Sequence, residues 1–349
     1  MLTDPGGAGR TSATRVGGWA PRSDSGVRPR CRFSGVVLVS RTGDNGRMPV
    51  GRGVVILRDV SLRDGLQDEA PIPTEAKVAL FEALADAGVR DLEMTSFVRP
   101  DRVPALADAE ALVAATAELA ATHGVTRWGL VLNARGAERA LAAGVDHLQY
   151  VVSVSDTHSR HNAGTGTDEA LDAFDRIASD ALEQGATVEA TLATAFGCPF
   201  EHRVEPDRVA AVARRVVEAG ASSIGLADTI GVAVPTEVAT LVDRVTGEID
   251  VAVGAHLHDT RGLAIANALA ALDHGAVRLD ASVGGLGGCP FAPNASGNVP
   301  IEDLAHALGE MGYRTGVDVP ALVEAARLAC ELTGRSVESH IGLAGPRFT

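Results

Sequence analysis

From residue 54 onward the apolar positions switch regularly between two periods. Short runs rich in β-branched residues alternate with Ala-rich stretches whose apolar positions recur at helical spacing, the signature of strands alternating with helices. The spacing predicts strands at 54–60, 91–97, 126–132, 147–154, 187–195, 223–229, 251–259 and 278–286. Helices are predicted at 74–88, 101–122, 134–143, 167–184, 205–219, 235–248, 262–274, 300–311 and 319–333. Gly88, Gly144, Gly185, Gly220 and Gly275 each stand where a helix hands over to the next strand, the usual place of a helix-stopping glycine. Eight such units over this length predict an α/β fold, a closed (β/α)8 TIM barrel with an extra C-terminal helix. A doubly wound open sheet is the alternative, but no G-x-G-x-x-G follows the first strand.

Residues 1–50 break the rhythm. They hold eight arginines against three aspartates, many Gly, Ser and Pro, and no apolar period, so they cannot bury enough surface to order themselves. They are expected to be a disordered N-terminal extension or the product of a start assigned too early, with Met48 the real start; an Arg- and Ser-rich targeting peptide is the less favoured reading. Residues 51–349 form the predicted catalytic barrel.

The net charge of −14 argues against nucleic acid and anionic membranes as partners, since both call for a basic face. No run of apolar residues is long enough to span a bilayer. Cys31, Cys198, Cys289 and Cys330 are widely separated, which fits neither a disulfide framework nor a zinc knuckle and suggests a reducing, cytoplasmic setting.

In a barrel of this kind, chemistry gathers at the C-terminal ends of the strands. Arg63 and Asp64 follow the first predicted strand, Glu93, Thr95 and Ser96 end the second, Asp228 and Thr229 close the sixth, and His256, His258 and Asp259 end the seventh. Side chains two apart on a strand share a face, so both histidines can point at the barrel axis. Strands seven, eight and one are neighbours in a closed barrel, which lets Asp64, the histidines and Asn298 converge. Two imidazoles, a carboxylate and an amide oxygen suit a divalent cation, Mg2+, Mn2+, Co2+ or Zn2+. The segment 284–298, GGLGGCPFAPNASGN, reads as a Gly-rich lid over the barrel mouth, and its Cys289 as a functional thiol.

The stretches SLRDGLQDE, LEMTSF, LADTIGV, HLHDTRGLAIAN and GGLGGCPFAPNASGN, in this order, resemble the signatures of the 3-hydroxy-3-methylglutaryl-CoA lyase family over about residues 54–345. The resemblance implies a metal-dependent barrel that cleaves 3-hydroxy-3-methylglutaryl-CoA to acetyl-CoA and acetoacetate, as in leucine breakdown. It implies Mg2+ or Mn2+ held by Asp64, His256, His258 and Asn298, with an acyl-CoA as substrate and a homodimer as the assembly. Arg63 would stabilise the enolate oxygen, Cys289 and His256 would move protons, and Glu93 and Asp228 would assist. Leu62 stands where these lyases usually carry proline, and Ala70 where many carry lysine. The segment 153–170 is only loosely like the family. A lyase for another 3-hydroxy-3-alkylglutaryl-CoA, or a Claisen-type acyltransferase of the isopropylmalate and homocitrate synthase superfamily, remain the alternatives.

Overall fold

Eight parallel strands follow one another around a ring: β1 (Ile56–Asp59), β2 (Asp91–Ser96), β3 (Thr126–Val131), β4 (His147–Ser153), β5 (Thr187–Ala193), β6 (Ser223–Asp228), β7 (Ala252–Leu257) and β8 (Arg278–Ala281). Pairing of β8 with β1, from Ile56–Arg278 to Asp59–Ala281, closes the barrel. This is a TIM barrel, as the alternation of periods predicts. The computed structural model describes residues 52–288, 297–345 and 347. The predicted N-terminal extension and the middle of the Gly-rich loop, Cys289 included, lie outside the described residues.

The helices are α1 (Thr74–Asp86), α2 (Ala109–Ala115), α3 (Ala117–His123), α4 (Ala134–Ala142), α5 (Asp156–Asn162), α6 (Thr167–Glu183), α7 (Pro206–Glu218), α8 (Pro235–Thr246), α9 (Ala264–Asp273), α10 (Ile301–Glu310), α11 (Val319–Thr333) and α12 (His340–Ala344). Where they differ from the predicted set, the cause is local. The helix expected over 101–122 is broken at Thr116, whose hydroxyl donates to the Leu112 carbonyl at 2.8 Å and so competes with the helical ladder. Two helices were not predicted because neither has an apolar stripe. In α5, the Ser155 hydroxyl caps the first turn by accepting from the His158 N–H. In α12, Asp303 on α10 accepts the N–H groups of His340 and Ile341. The eighth strand ends at Ala281 rather than at 286, because Gly284 and Gly285 adopt φ of 63° and 68° and turn the chain out of the sheet.

Two cores result. Between sheet and helices the packing is apolar, with Leu80, Leu84, Leu92, Leu241 and Leu279 all buried. Inside the barrel it is ionic. Arg58 donates to Asp91 and, at 2.8 Å, to Glu189; it also stacks 4.1 Å above the Trp128 ring. Arg278 donates to both oxygens of Glu189 and, through Nε, to Asp280 at 2.8 Å. The guanidinium of Arg278 needs a gap in the sheet wall, and Gly254 provides it: a Cβ there would stand 2.6 Å from Arg278 Cζ. A strand glycine with this kind of neighbour marks a close approach.

Gly254→Ala is therefore expected to lose about 2 kcal/mol of unfolding free energy through overpacking. Gly309→Ala, on exposed α10 surface with nothing within 4 Å of the added methyl, should change it by less than about 1 kcal/mol. Urea unfolding of the two variants checks this; equal effects would remove the niche explanation.

Candidate metal centre and active site

The turn that follows β1 brings the first functional residues over the mouth. Ser61–Gly65 form one π-helical turn, wholly buried, closed by the Gly65 N–H on the Val60 carbonyl at 3.0 Å. Asp59 braces it from below: its carboxylate accepts the Ser61 N–H at 2.8 Å and the Ser61 hydroxyl at 2.9 Å. That hydroxyl in turn accepts the Val283 N–H, and Glu302 accepts the Gly284 N–H at 3.0 Å. The β1 turn and the start of the Gly-rich segment are thus tied to one pair of buried carboxylates.

His256 and His258 stand two apart at the end of β7 and both face inward, with their Nε2 atoms 3.2 Å apart. Asn298 reaches them because the chain returning from the Gly-rich loop pairs antiparallel with His258 and donates from the Val299 N–H to Leu257. Asp64 Oδ2 lies 3.6 Å from His258 Nε2 and accepts the Asn298 side-chain N–H at 2.7 Å. Ligand atoms of Asp64, His256 and His258 all fall within 4.8 Å of one another. Asn298 Oδ1 is buried with no hydrogen-bond partner among the described residues. A buried acceptor left without a donor is costly, and a cation would satisfy it. Two imidazole nitrogens and two oxygens fit a divalent ion.

The electrostatics support that use. Burial alone would raise the Asp64 carboxyl, but the Arg63 guanidinium, His258 and His256 outweigh it and hold Asp64 well below the usual carboxylate range. Burial would lower His256, yet Asp280 and Asp64 outweigh it and raise it. Asp280 Oδ2 lies 3.5 Å from His256 Nδ1, so Nε2 is the nitrogen turned to the cluster.

Arg63 is clamped on one edge. Its Nε donates to Glu93 at 2.5 Å and its Nη1 to Asp64. Glu93 arrives at this height through a register shift in β2 between Glu93 and Thr95, a bulge that re-aims the end of the strand. Ser96 and Val98, rather than Thr95, consequently line the cavity. Asp228 closes β6 with both oxygens on its own loop, accepting Val232 N–H at 2.9 Å and Ala233 N–H at 3.0 Å. Asp259 likewise accepts the Ala264 N–H at the start of α9.

Above the cluster opens a cavity of about 610 Å³. Arg63, Asp64, His256 and His258 line it, together with Asn133, His158, Thr191 and Thr229, and the exposed Arg99, Arg102 and Arg160 stand on its lining as well. Sequence reasoning named Ser96 at the end of the second strand but missed two contributors, His158 and Asp280. Asp280 had a readable signal, since Arg278 and Asp280 alternate on a strand inside a barrel; His158 had none, lying in a polar stretch without period.

The HMGL-like family model matches residues 54–329. The chain belongs to that family. It is 43% identical to the (R)-citramalyl-CoA lyase of Chloroflexus aurantiacus over 84% of this chain and 96% of that protein. It is 40% identical to the hydroxymethylglutaryl-CoA lyase of Pseudomonas mevalonii, over 82% and 95%. A solved 3-hydroxy-3-methylglutaryl-CoA lyase of Acinetobacter baumannii, in complex with coenzyme A and 3-methylmalate, superposes with a TM-score of 0.78 at 36% identity, over 84% of this chain and 96% of that one. This HMGL-like chain is thus an enzyme of the hydroxymethylglutaryl-CoA lyase type, as its motifs imply. No described helix is long and apolar enough to cross a membrane.

The two carboxylates of the brace are buried together under the site. Burial pushes both Asp59 and Glu302 up to about 7; the Glu302 carboxylate adds to the rise of Asp59, and the Asp303 carboxylate to that of Glu302. A carboxyl raised in the fold favours the folded state when protonated; that contribution is complete below about pH 4 and is lost as pH rises through 7. Glu302→Gln keeps an acceptor for the Gly284 N–H and does not titrate. Its stability at pH 8 relative to pH 5 should therefore fall less than the parent's, by about 1–3 kcal/mol. Urea unfolding at the two pH values measures the difference, and parallel losses in both proteins would show that Glu302 is ionised throughout.

Proposed function

We propose that this enzyme cleaves 3-hydroxy-3-methylglutaryl-CoA to acetyl-CoA and acetoacetate, with Mg2+ or Mn2+ held by Asp64, His256, His258 and Asn298. The observation that carries the reading is the convergence of two imidazoles, a carboxylate and an unpartnered amide oxygen beside a clamped arginine at the floor of one cavity.

Cleavage requires the C3 hydroxyl to lose its proton and the C2–C3 electron pair to move onto C2 and the thioester carbonyl. When bound, the cation supplies Lewis acidity that makes such a hydroxyl easier to deprotonate. Arg63 holds a planar guanidinium where charge develops on the thioester oxygen, and its clamp to Glu93 and Asp64 fixes it before the reaction begins. Burial works against its charge, but those two carboxylates keep it protonated. Cys289, from the segment outside the described residues, carries a proton onto C2 of the leaving acetyl group; His256, with Nδ1 on Asp280 and Nε2 turned to the cation, acts by holding the cation beside the hydroxyl, whose proton leaves to water in the cavity. Glu93 acts by orienting Arg63. Asp228 acts at most by shaping the loop after β6, because its oxygens are engaged there.

A second reading is favoured by the relative named (R)-citramalyl-CoA lyase. Its substrate has the same tertiary carbinol β to a thioester and one methylene fewer before the terminal carboxylate, and the same bond would break, leaving pyruvate in place of acetoacetate. A Claisen-type synthase would instead consume acetyl-CoA and an oxo acid and release CoA.

Metal-stripped enzyme, with and without added Mn2+, is to be incubated with each thioester and the products separated chromatographically. Mn2+-dependent acetyl-CoA with acetoacetate supports the first reading; pyruvate alone replaces it with the second; free CoA from acetyl-CoA and an oxo acid overturns both. In the same assay Arg63→Lys, which keeps the charge and loses the fork, should lower kcat by about 100-fold or more with little change in KM. An effect confined to KM would make Arg63 a substrate anchor only. His258→Ala should bind far less metal, and full occupancy with unchanged turnover would displace the site.

A further inference from the structure

The two oxygen donors of the cluster come from segments 234 positions apart, Asp64 from the turn after β1 and Asn298 from the chain returning to β7. Neither lies on a strand of the barrel. Asn298 takes its setting from the start of the Gly-rich segment. Its amide N–H groups donate to Asp64 Oδ2 at 2.7 Å and to the Leu286 carbonyl at 3.0 Å, and that carbonyl also accepts the Ser282 hydroxyl at 2.7 Å. With both amide hydrogens engaged, the direction of Oδ1 follows the position of Leu286. Gly287, at φ of 125°, packs directly against this amide: a Cβ there would stand 2.7 Å from the Asn298 amide nitrogen and 3.4 Å from Asp64 Oδ2.

Arg335 ties the two segments together and is not among the residues that line the cavity. Its Nη1 donates to the Gly287 carbonyl at 3.3 Å, and its Nη2 lies 2.5 Å from Glu69 Oε1. Glu69 belongs to the turn that follows Asp64, with its N–H on the Leu66 carbonyl at 3.0 Å. Glu69 Oε1 is buried and takes no hydrogen bond among the described residues, so the ion pair with the guanidinium compensates its burial. Arg335 is itself set by the end of α11, where Gly334 takes φ of 71° and the Arg335 N–H donates to the Cys330 carbonyl at 3.0 Å. Helix α11 lies against the same Gly-rich segment, since a Cβ on Gly284 would stand 3.3 Å from Cys330 Sγ.

An exposed arginine paired with a half-buried carboxylate adds little to global stability. Its planar fork is suited to another task, meeting two acceptors at once in a fixed geometry. We propose that Arg335 is a positioning residue for the cation: by bridging Gly287 to Glu69 it holds the segments that carry Asn298 and Asp64 in register, and so aims Asn298 Oδ1 at the ion. It acts through Gly287 and Glu69, not by contact with the ion. This rests on the reading of Asp64, His256, His258 and Asn298 as the cation's ligands.

The test titrates Mn2+ into metal-stripped parent, Arg335→Ala and Arg335→Lys in the absence of substrate, with free Mn2+ read by electron paramagnetic resonance. Circular dichroism and urea unfolding first establish that each variant is folded. Arg335→Ala removes a positive charge from the neighbourhood of a cation, so charge alone would tighten binding. The positioning role requires the opposite sign, binding about 10-fold weaker than the parent's, as for the loss of other groups that orient metal ligands. Lysine keeps the charge but is a point donor that cannot span both acceptors, so Arg335→Lys should also bind more weakly, by about 3-fold or more. Equal or tighter binding in folded Arg335→Ala, or parent-like binding in Arg335→Lys, overturns the assignment and leaves the cation site standing. A parent that binds no Mn2+, or whose His258→Ala variant binds it equally well, overturns the cation reading and this assignment with it.

Discussion

A line of alternating charge runs up the inside of the barrel: Arg58 to Glu189, Glu189 to Arg278, Arg278 to Asp280, and Asp280 to His256. Every member is buried. Charges without water are tolerable only when each finds a partner, and removal of one leaves the next uncompensated. Five strands contribute to or accommodate this line, β1, β5, β6, β7 and β8, so their register is fixed by ionic geometry as well as by backbone pairing. The glycines at 225 and 254 follow from it, since a side chain at either would meet Thr191 or Arg278.

The line ends where the chemistry begins. Asp280 sets the ring of His256, and with it the direction of Nε2; the turn after β1 sets Asp64; the returning chain at 297–299 sets Asn298. Three segments far apart in sequence are thus held to one point by buried polar contacts, and the cation cluster inherits the rigidity of the barrel rather than that of a loop. The substrate side is built differently. Arg63 is held by Glu93 on β2 and by Asp64 beside it, and His158 by Ser153 at the end of β4 and by Ser155 at its own helix cap.

The sequence shows the barrel because strands buried on both faces read as β-branched runs and because glycines close the helices. It points to Asp64, His256, His258 and Asn298 because the H-x-H spacing places both rings on one face of β7, and only β8 separates that strand from β1, whose following turn carries Asp64. It does not show what depends on distant partners. Arg58 and Glu189 lie 131 positions apart, and neither carries a motif. The bulge that puts Ser96 in the cavity lies in a strand whose alternation reads as regular. Helix α5 has a polar sequence held by Glu201 and Cys198, so no period announces it.

The central claim is that the axial charge line holds the cation-binding geometry. Titration of Mn2+ into metal-stripped parent and Asp280→Asn protein, with free Mn2+ read by electron paramagnetic resonance, tests it most directly. Circular dichroism and cooperative unfolding first establish that the variant is folded. The account predicts that the parent binds one ion per chain at this cluster and that Asp280→Asn binds it about 10- to 100-fold more weakly, as loss of the partner behind a metal-bound histidine does. Equal affinity in a folded Asp280→Asn protein would contradict it.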